Sequence, residues 1–374
     1  MSVPLFRSLI DLGTASVKAL VVELRGGKVH LWGRGQAPLE GGYGPDGEIV
    51  DREAVAAACD AALSAAEEMT PGTFGHKIVP DESLWSVPAW FCRTQALTLQ
   101  QRRPQPARGI VQREWQALEA RLERLVAGWD GAPVDVVSIA QVDGNTVTDV
   151  LGLRGEALAL QAFVALADAD ALAALGALAA ALELDPPGFT SQARAAAAGL
   201  GSDGLLLDLG RWGTAVVVVR RGKPAGAAWA PLGGQSFYRT LSNSVGLKPS
   251  QLSGYCQAYA EGWLPPHARA AADAALDDPV GRWLDLVAAR LADLAAKEPL
   301  PHQVFLAGGA SLLPAVLQGV RRYDWLYRLP WSRHPEVQLW QATVAGTLID
   351  HTGGGWGPGD LVRLGLARLA RHQG

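Results

Sequence analysis

Residues 8–24, SLIDLGTASVKALVVEL, and residues 204–220, GLLLDLGRWGTAVVVVR, carry one pattern twice. In each, an apolar strand runs into an Asp-Leu-Gly turn, a threonine follows, and a second apolar strand leads away. A glycine turn and a third short strand complete both copies, at Val29–Gly33 in the first and around Ala225–Ala230 in the second. A strand, turn, strand, turn, strand order repeated about 200 residues apart points to an internal duplication, so the chain is expected to fold as two related lobes. The first meander leads into DREAVAAACDAALSAAEE at 51–68, a run of helix formers with Asp51 placed to cap it.

The composition agrees with two cores. The chain has 374 residues, 49% of them hydrophobic and 19% charged, which is too apolar for disorder and long enough for more than one domain. The 33 basic residues nearly balance 37 acidic ones, a net charge of −4 that excludes a general nucleic-acid binder steered by overall charge. Cys59, Cys92 and Cys256 form no CxxC pair, which fits a reducing compartment. No apolar run approaches the length of a membrane span, so the reading is cytosolic. The seven histidines, His372 among them, show no metal-binding spacing, and neither a GxSxG elbow nor a P-loop occurs.

The candidate chemistry lies at the two turns and at a third element. A tight turn after a buried strand exposes backbone N–H groups and hydroxyls to a phosphate, and an aspartate there can hold a magnesium ion through water. Gly13, Thr14, Ser16 and Lys18 supply these groups in the first turn, and Gly210, Gly213 and Thr214 in the second, with Asp11 and Asp208 as candidate metal ligands. The third element is VFLAGGASLLPAVL at 304–317, where Gly308, Gly309 and Ala310 let the backbone approach a flat ring or a ribose.

These elements, near 10, 210 and 308, resemble the two phosphate motifs and the adenosine motif of the actin-like ATPase superfamily. Within it the chain looks most like FtsA of bacterial cell division, with PilM of type IV pilus assembly as its relative. GEIVDREAVAAACDAALSAAE at 47–67 resembles the family's first helix. APLGGQSFYRTLSNSVGL at 230–247 resembles its glycine turn, with Gly233 and Gly234, and TVAGTLIDH resembles its last core helix. The resemblance implies a duplicated actin-like (ribonuclease H-like) α/β fold, two lobes around a nucleotide cleft with a small inserted α+β subdomain. The expected divisions are a first lobe over 1–79 and 156–202, an FtsA-type insert over 80–155, a second lobe over 203–352, a linker over 353–359 and a basic amphipathic tail over 360–374.

It also implies ATP and Mg as ligands and a protein that scaffolds and is at most a slow ATPase. An FtsA-like protein would form filaments and hold an FtsZ-like partner at the inner face of the cell membrane. A PilM-like one would hold a pilus inner-membrane protein of the PilN type. A sugar or acid kinase of the same superfamily would need a general-base aspartate in the cleft, and none stands out. Arg211 and Trp212 depart from the glycine-rich second phosphate turn, leaving open a nucleotide-free protein whose phosphate site they fill. Tyr255 and Ala258 take the places where the family carries charged residues near the adenosine. Gln192 is the candidate for positioning an attacking water, with a plain helix start as the alternative. Trp85, Trp90, Trp115 and Trp129 read as insert core or as a partner surface.

The tail GDLVRLGLARLARHQG, if helical, groups Leu361, Val362, Leu366 and Leu369 on one side and Arg363, Arg368 and Arg371 towards the other. That arrangement, behind a glycine linker, is expected to lie in a membrane interface, and a helix packed on the body is the alternative.

Overall fold

The computed structural model describes residues 5–371 apart from 45, 46, 186 and 297; His372 and the last two residues lie outside it. The chain opens with the antiparallel strands β1 (Leu5–Leu12), β2 (Ser16–Arg25) and β3 (Lys28–Pro38). Helix α1 (Arg52–Glu67) follows, capped as expected by Asp51, whose Oδ1 accepts from the Ala54 N–H at 2.9 Å. After a single turn, α2 (Pro71–Phe74), comes β4 (Ser83–Val87), parallel to β1. An excursion follows, made of β5 (Cys92–Arg102), α3 (Gln112–Ala127), β6 (Ala132–Val142), β7 (Asn145–Val147) and β8 (Ala157–Ala167). Helix α4 (Ala169–Ala181) and β9 (Gly188–Ser191) return to the first sheet, and α5 (Gln192–Leu200) leaves it for the second lobe.

There the pattern repeats: β10 (Gly204–Leu209), β11 (Thr214–Arg220), β12 (Lys223–Ala230), helices α6 (Gly234–Val245), α7 (Pro249–Ala260) and α8 (Pro266–Leu294), β13 (Gln303–Ala307), α9 (Pro314–Arg322), α10 (Trp325–Arg328) and β14 (Glu336–Leu339). The two sheets run β15-β3-β2-β1-β4-β9 and β12-β11-β10-β13-β14, where β15 is the short strand Leu348–Asp350. With β15 set aside, the strand order is the same in both. Asp11 and Asp208 hold equivalent places, one residue from the end of their strands, paired laterally with Ser86 of β4 and Ala307 of β13. The last element of the described residues is α11 (Leu361–Ala370).

Several sequence expectations are corrected. The insert is a separate sheet, β5-β8-β6-β7, so it covers 92–167 and not 80–155. The cause is pairing: β4 sits between β1 and β9 in the first lobe, whereas β8 pairs with both β5 and β6. The segment TVAGTLIDH is not a helix. Gly346 adopts φ +72°, outside the helical region, and Leu348–Asp350 then pairs with β3, so the first lobe regains the chain before 352. Trp85 is buried in the first lobe and not in the insert, while Trp115 and Trp129 pack on the insert core.

The largest correction concerns the last residues. Helix α11 is part of the core, with Leu361, Leu364 and Leu366 almost wholly buried. It crosses α5 so closely that a Cβ on Gly365 would stand 1.7 Å from the Ala195 carbonyl oxygen, and one on Gly199 2.2 Å from that of Leu361. Glycine therefore serves the crossing here, where the sequence alone shows only a weakened helix. Arg363 is buried, pairs with Asp360 and donates to Gly35 O at 3.1 Å. Arg368 donates to Ala198 O and Gly199 O at the end of α5, at 2.7 and 2.9 Å, and to Thr343 O at 2.9 Å, completing carbonyls that the helix end leaves open. Val362 is buried and Leu369 packs on the same core, leaving Arg371 as the exposed end. A helix so engaged on both faces has no apolar side to give a bilayer. Among the described residues, no helix is long and apolar enough to cross a membrane.

Candidate functional site

Between the lobes lies a cleft of about 760 Å³, and the ends of β1 and β10 open into it. Asp11, Gly13, Thr14, Ser16 and Lys18 line its first-lobe wall; Gln192, Asp208, Gly210, Gly308, Gly309 and Ala310 also line it. The duplicated topology thus brings together three stretches separated by hundreds of residues. Asp11 is buried and accepts from Ser86 Oγ at 3.0 Å; burial pushes its carboxyl above the usual range, against the pull of Lys18. Asp208 is pushed up to about 6, by burial first and by the negative charge of Asp11 second, while Lys18 and the Gln192 amide oppose the shift. Two buried carboxylates beside one lysine, the charge of Asp11 adding to the burial that raises the proton affinity of Asp208, are an arrangement that a divalent cation relieves.

Among the described residues, no group of three or more His, Cys, Asp or Glu could hold a metal ion. The donor set therefore fits a magnesium ion that completes its shell with water and phosphate oxygens, and does not fit a metal caged by protein alone. Asp11 and Asp208 are the residues that would face it.

Gln192 stands at the first residue of α5, where its amide spans the cleft floor. Its Nε2 donates to Asp208 Oδ2 at 3.1 Å and its Oε1 accepts from the Ala89 N–H at 2.9 Å. Gly308 has φ +83°, and a Cβ there would lie 2.3 Å from Leu209 O and 2.8 Å from Asp208 Oδ1, so only glycine lets the third element meet the second turn.

Other expected residues are near the cleft without lining it. The Thr214 hydroxyl, expected at the phosphates, is fully buried: it donates to Leu232 O at 3.0 Å and accepts from Trp283 Nε1 at 2.9 Å. Both of its roles are taken up within the second lobe. Gly213 packs against the Trp229 ring, and Gly233 and Gly234 against the turn at 210–213 and Ala310. These three glycines shape the turn from behind. Tyr255 donates to Ala268 O at 3.2 Å and does not reach the cleft.

The bulk at 211–212 does not fill the phosphate end. Trp212 leaves the cleft for an aromatic group in the first lobe, and Arg211 alone of the pair lines the cavity.

Two parts of the site escape the sequence reading. Helix α6 presents Gln235, Tyr238, Arg239, Ser242 and Asn243 to the cleft, while Phe237 and Leu241 are buried on its other side. The polar residues fall at i, i+3, i+4, i+7 and i+8, a one-sided stripe that could have been counted. The supposed linker is the other. Gly357, Pro358, Gly359 and Asp360 form a strap that lines the cavity: Pro358 O accepts from the Gly308 N–H at 3.0 Å, and Lys18 Nζ donates to Gly359 O. No local pattern marks that strap, because its partners lie in both lobes.

No family model matches the sequence, and no curated protein does. Among solved structures, the chain is similar to the PilM-PilN type IV pilus biogenesis complex, at TM-score 0.63 and 17% identity over 96% of this chain and 97% of that one. It is also similar to the ethanolamine utilization protein EutJ from Carboxydothermus hydrogenoformans, at TM-score 0.53 and 15% identity, over 98% of this chain and 90% of that one. Likeness at these identities shows the fold. The chain has the actin-like α/β fold of two ribonuclease H-like lobes.

Proposed function

We propose that the protein is an actin-fold nucleotide-binding scaffold that acts as a PilM-like cytoplasmic component of type IV pilus assembly. It would hold the cytoplasmic segment of a PilN-type inner-membrane protein and adjust that hold with Mg·ATP. The observation that carries the nucleotide half is the cleft itself, where Asp11, Asp208, Lys18 and the Gly308 turn converge from three distant stretches. Likeness in fold to PilM over nearly the full length of both chains supports the partner half. The FtsA-type reading loses its membrane anchor, because α11 is core, and is not carried forward. The reading in which Arg211 and Trp212 fill the phosphate site keeps only Arg211, since the Trp212 ring packs against Tyr43 and does not line the cleft.

Bound magnesium would neutralise the phosphates and the two aspartates together. Asp11 and Asp208 would orient its waters, Lys18 would meet phosphate oxygens, and α6 with Ala310 would flank the base. Gln192 is the residue assigned to orienting water at the terminal phosphate. It is held by Asp208 and Ala89, so it must exchange existing hydrogen bonds to do so, and turnover is slow.

Thermal unfolding with and without Mg·ATP tests the first half. Ligand at 100 times its dissociation constant adds about 2.7 kcal/mol to native stability, and Asp11→Ala should abolish the rise. A wild-type protein indifferent to millimolar Mg·ATP would overturn the nucleotide reading. For the second half, retention of the full chain on an immobilised PilN-type cytoplasmic peptide, and not on an FtsZ C-terminal peptide, is expected; the reverse selectivity would overturn it.

A further inference from the structure

The second phosphate turn is unusual in carrying two large residues, and the structure sends them in opposite directions. Its backbone is fixed first: Gly210 N–H donates to Gly213 O at 2.9 Å, Gly210 O accepts from Gly234 N–H at 2.9 Å, and Arg211 O accepts from Gln235 N–H at 2.7 Å. Trp212 then crosses to the first lobe, where its ring meets Tyr43 edge-on, with centroids 6.0 Å apart at 77°. Tyr43 in turn packs edge-on against Trp90 at 5.5 Å, and Trp90 lies 5.6 Å from Trp229 of β12. Tyr43 and Trp90 belong to the first lobe, Trp212 and Trp229 to the second. The four rings form a clasp across the lobes beside the phosphate end of the cleft. Offset and edge-to-face ring pairs attract beyond the area they bury, so the clasp holds the second turn against the first lobe.

With Trp212 seated in the first lobe, Arg211 faces the cavity that Asp11, Asp208 and Lys18 also line. Among the described residues, its guanidinium takes part in no ion pair or side-chain hydrogen bond. A guanidinium left open beside a cavity suited to phosphate is a charge without an assigned anion. Magnesium with two aspartates leaves the negative charge of a polyphosphate to be met by cations, and Lys18 is the cation on the first-lobe wall. From the second lobe come Arg239 of α6 and Arg211, of which Arg211 belongs to the phosphate turn itself.

We infer that Arg211 is a polyphosphate-selective ligand of this cleft and that Trp212, through the aromatic clasp, is the residue that positions it. This rests on the nucleotide reading above. The pair makes the site discriminate by phosphate number: the guanidinium meets the outer phosphates of ATP and ADP, and AMP, which ends short of it, gains nothing from it. Trp212 touches no ligand; it acts by holding the turn and the lobes in register.

The test is competition of ATP, ADP and AMP against a fluorescent ATP analogue on the full chain with magnesium, for wild type, Arg211→Ala, Arg211→Lys, Trp212→Ala and Trp212→Phe. Losing a charge-assisted contact should weaken ATP about 10- to 100-fold in Arg211→Ala and change AMP less than about twofold. Arg211→Lys should recover part of the loss. Trp212→Ala should show the same ATP-selective loss, and Trp212→Phe, which keeps a ring against Tyr43, should restore most of it. Arg211→Ala alters a side chain that makes no internal bond, so it keeps the test decisive if Trp212→Ala fails to fold. Unchanged ATP affinity in Arg211→Ala, or equal losses for all three nucleotides, would overturn the inference while leaving the site intact. A wild-type protein that binds none of the three overturns the nucleotide reading and this inference with it.

Discussion

Replacing Gly365 with alanine separates a core helix from a surface tail by the sign of one measurement. In an exposed helix the change is favourable, since glycine is about 0.8–1.0 kcal/mol worse than alanine in a helix interior. In the crossing seen here, the new Cβ would stand 1.7 Å from Ala195 O, with the Ala195 carbonyl carbon at 2.6 Å and Gly199 N at 2.9 Å. All three are backbone atoms of α5, so no side chain can turn aside. The two helices must separate by more than about 1 Å, which loosens the Leu361, Leu364 and Leu366 packing as well; inserting one methyl into a tight core costs about 1–3 kcal/mol, and this site lies at the upper end or beyond. After the helix-propensity gain is subtracted, about 2 kcal/mol or more of destabilisation remains. Gly176→Ala supplies the control: Gly176 lies within α4, and a Cβ there meets nothing within 4 Å. That variant should be neutral or more stable by up to about 1 kcal/mol. Urea unfolding followed by tryptophan fluorescence, with the m-value checked for constancy, measures both. If Gly365→Ala matches Gly176→Ala in sign, the crossing is misplaced and the tail regains its claim to a surface role.

Thr214→Val should destabilise by about 1–3 kcal/mol, because it leaves Trp283 Nε1 and Leu232 O without their partner, yet it should leave ATP affinity within about twofold of wild type. Urea unfolding and nucleotide titration read the two separately, and a selective loss of ATP would return Thr214 to the phosphates. Asp208→Asn should stabilise the ligand-free protein at pH 7.5, by no more than about 3 kcal/mol on the shift from 3.8 to about 6, and should remove its response to Mg·ATP. A lowered melting temperature without ligand would refute the strain argument. Burial, and then the Arg25 charge, hold the His30 imidazole below its ordinary range, so the stability from its neutral form is complete above about pH 6.5 and is lost as pH falls through the lower folded value. His30→Asn should therefore be less sensitive than wild type to a change from pH 7.5 to 5.5 in urea unfolding. An equal or steeper loss in the variant would count against it.

What could be read in the sequence was what repeats or alternates locally. The paired Asp-Leu-Gly turns gave the two lobes, because a strand ending in a tight turn is specified within about ten residues. They also pointed to the cleft, because duplication places equivalent aspartates at equivalent strand ends. Features that depend on contact between distant segments were not legible. Gly365 reads as a helix weakness until Ala195 is placed beneath it, and Arg363 and Arg368 read as a membrane-facing charge set until Gly35 and the end of α5 are found to engage them. Gly353 to Gly359 reads as a linker because glycine and proline suit both a free tether and a fixed strap. The same holds for Arg211 and Trp212: their sizes suggest a blocked phosphate site, and only the position of Tyr43 shows where the tryptophan goes. The sequence was misleading where one residue type serves two purposes and the deciding partner lies in another lobe. The strap, the crossing of α5 and α11, and the aromatic clasp all share that origin. The strap and the clasp, moreover, join the two lobes beside the cleft, which is why no pattern within either lobe reveals them.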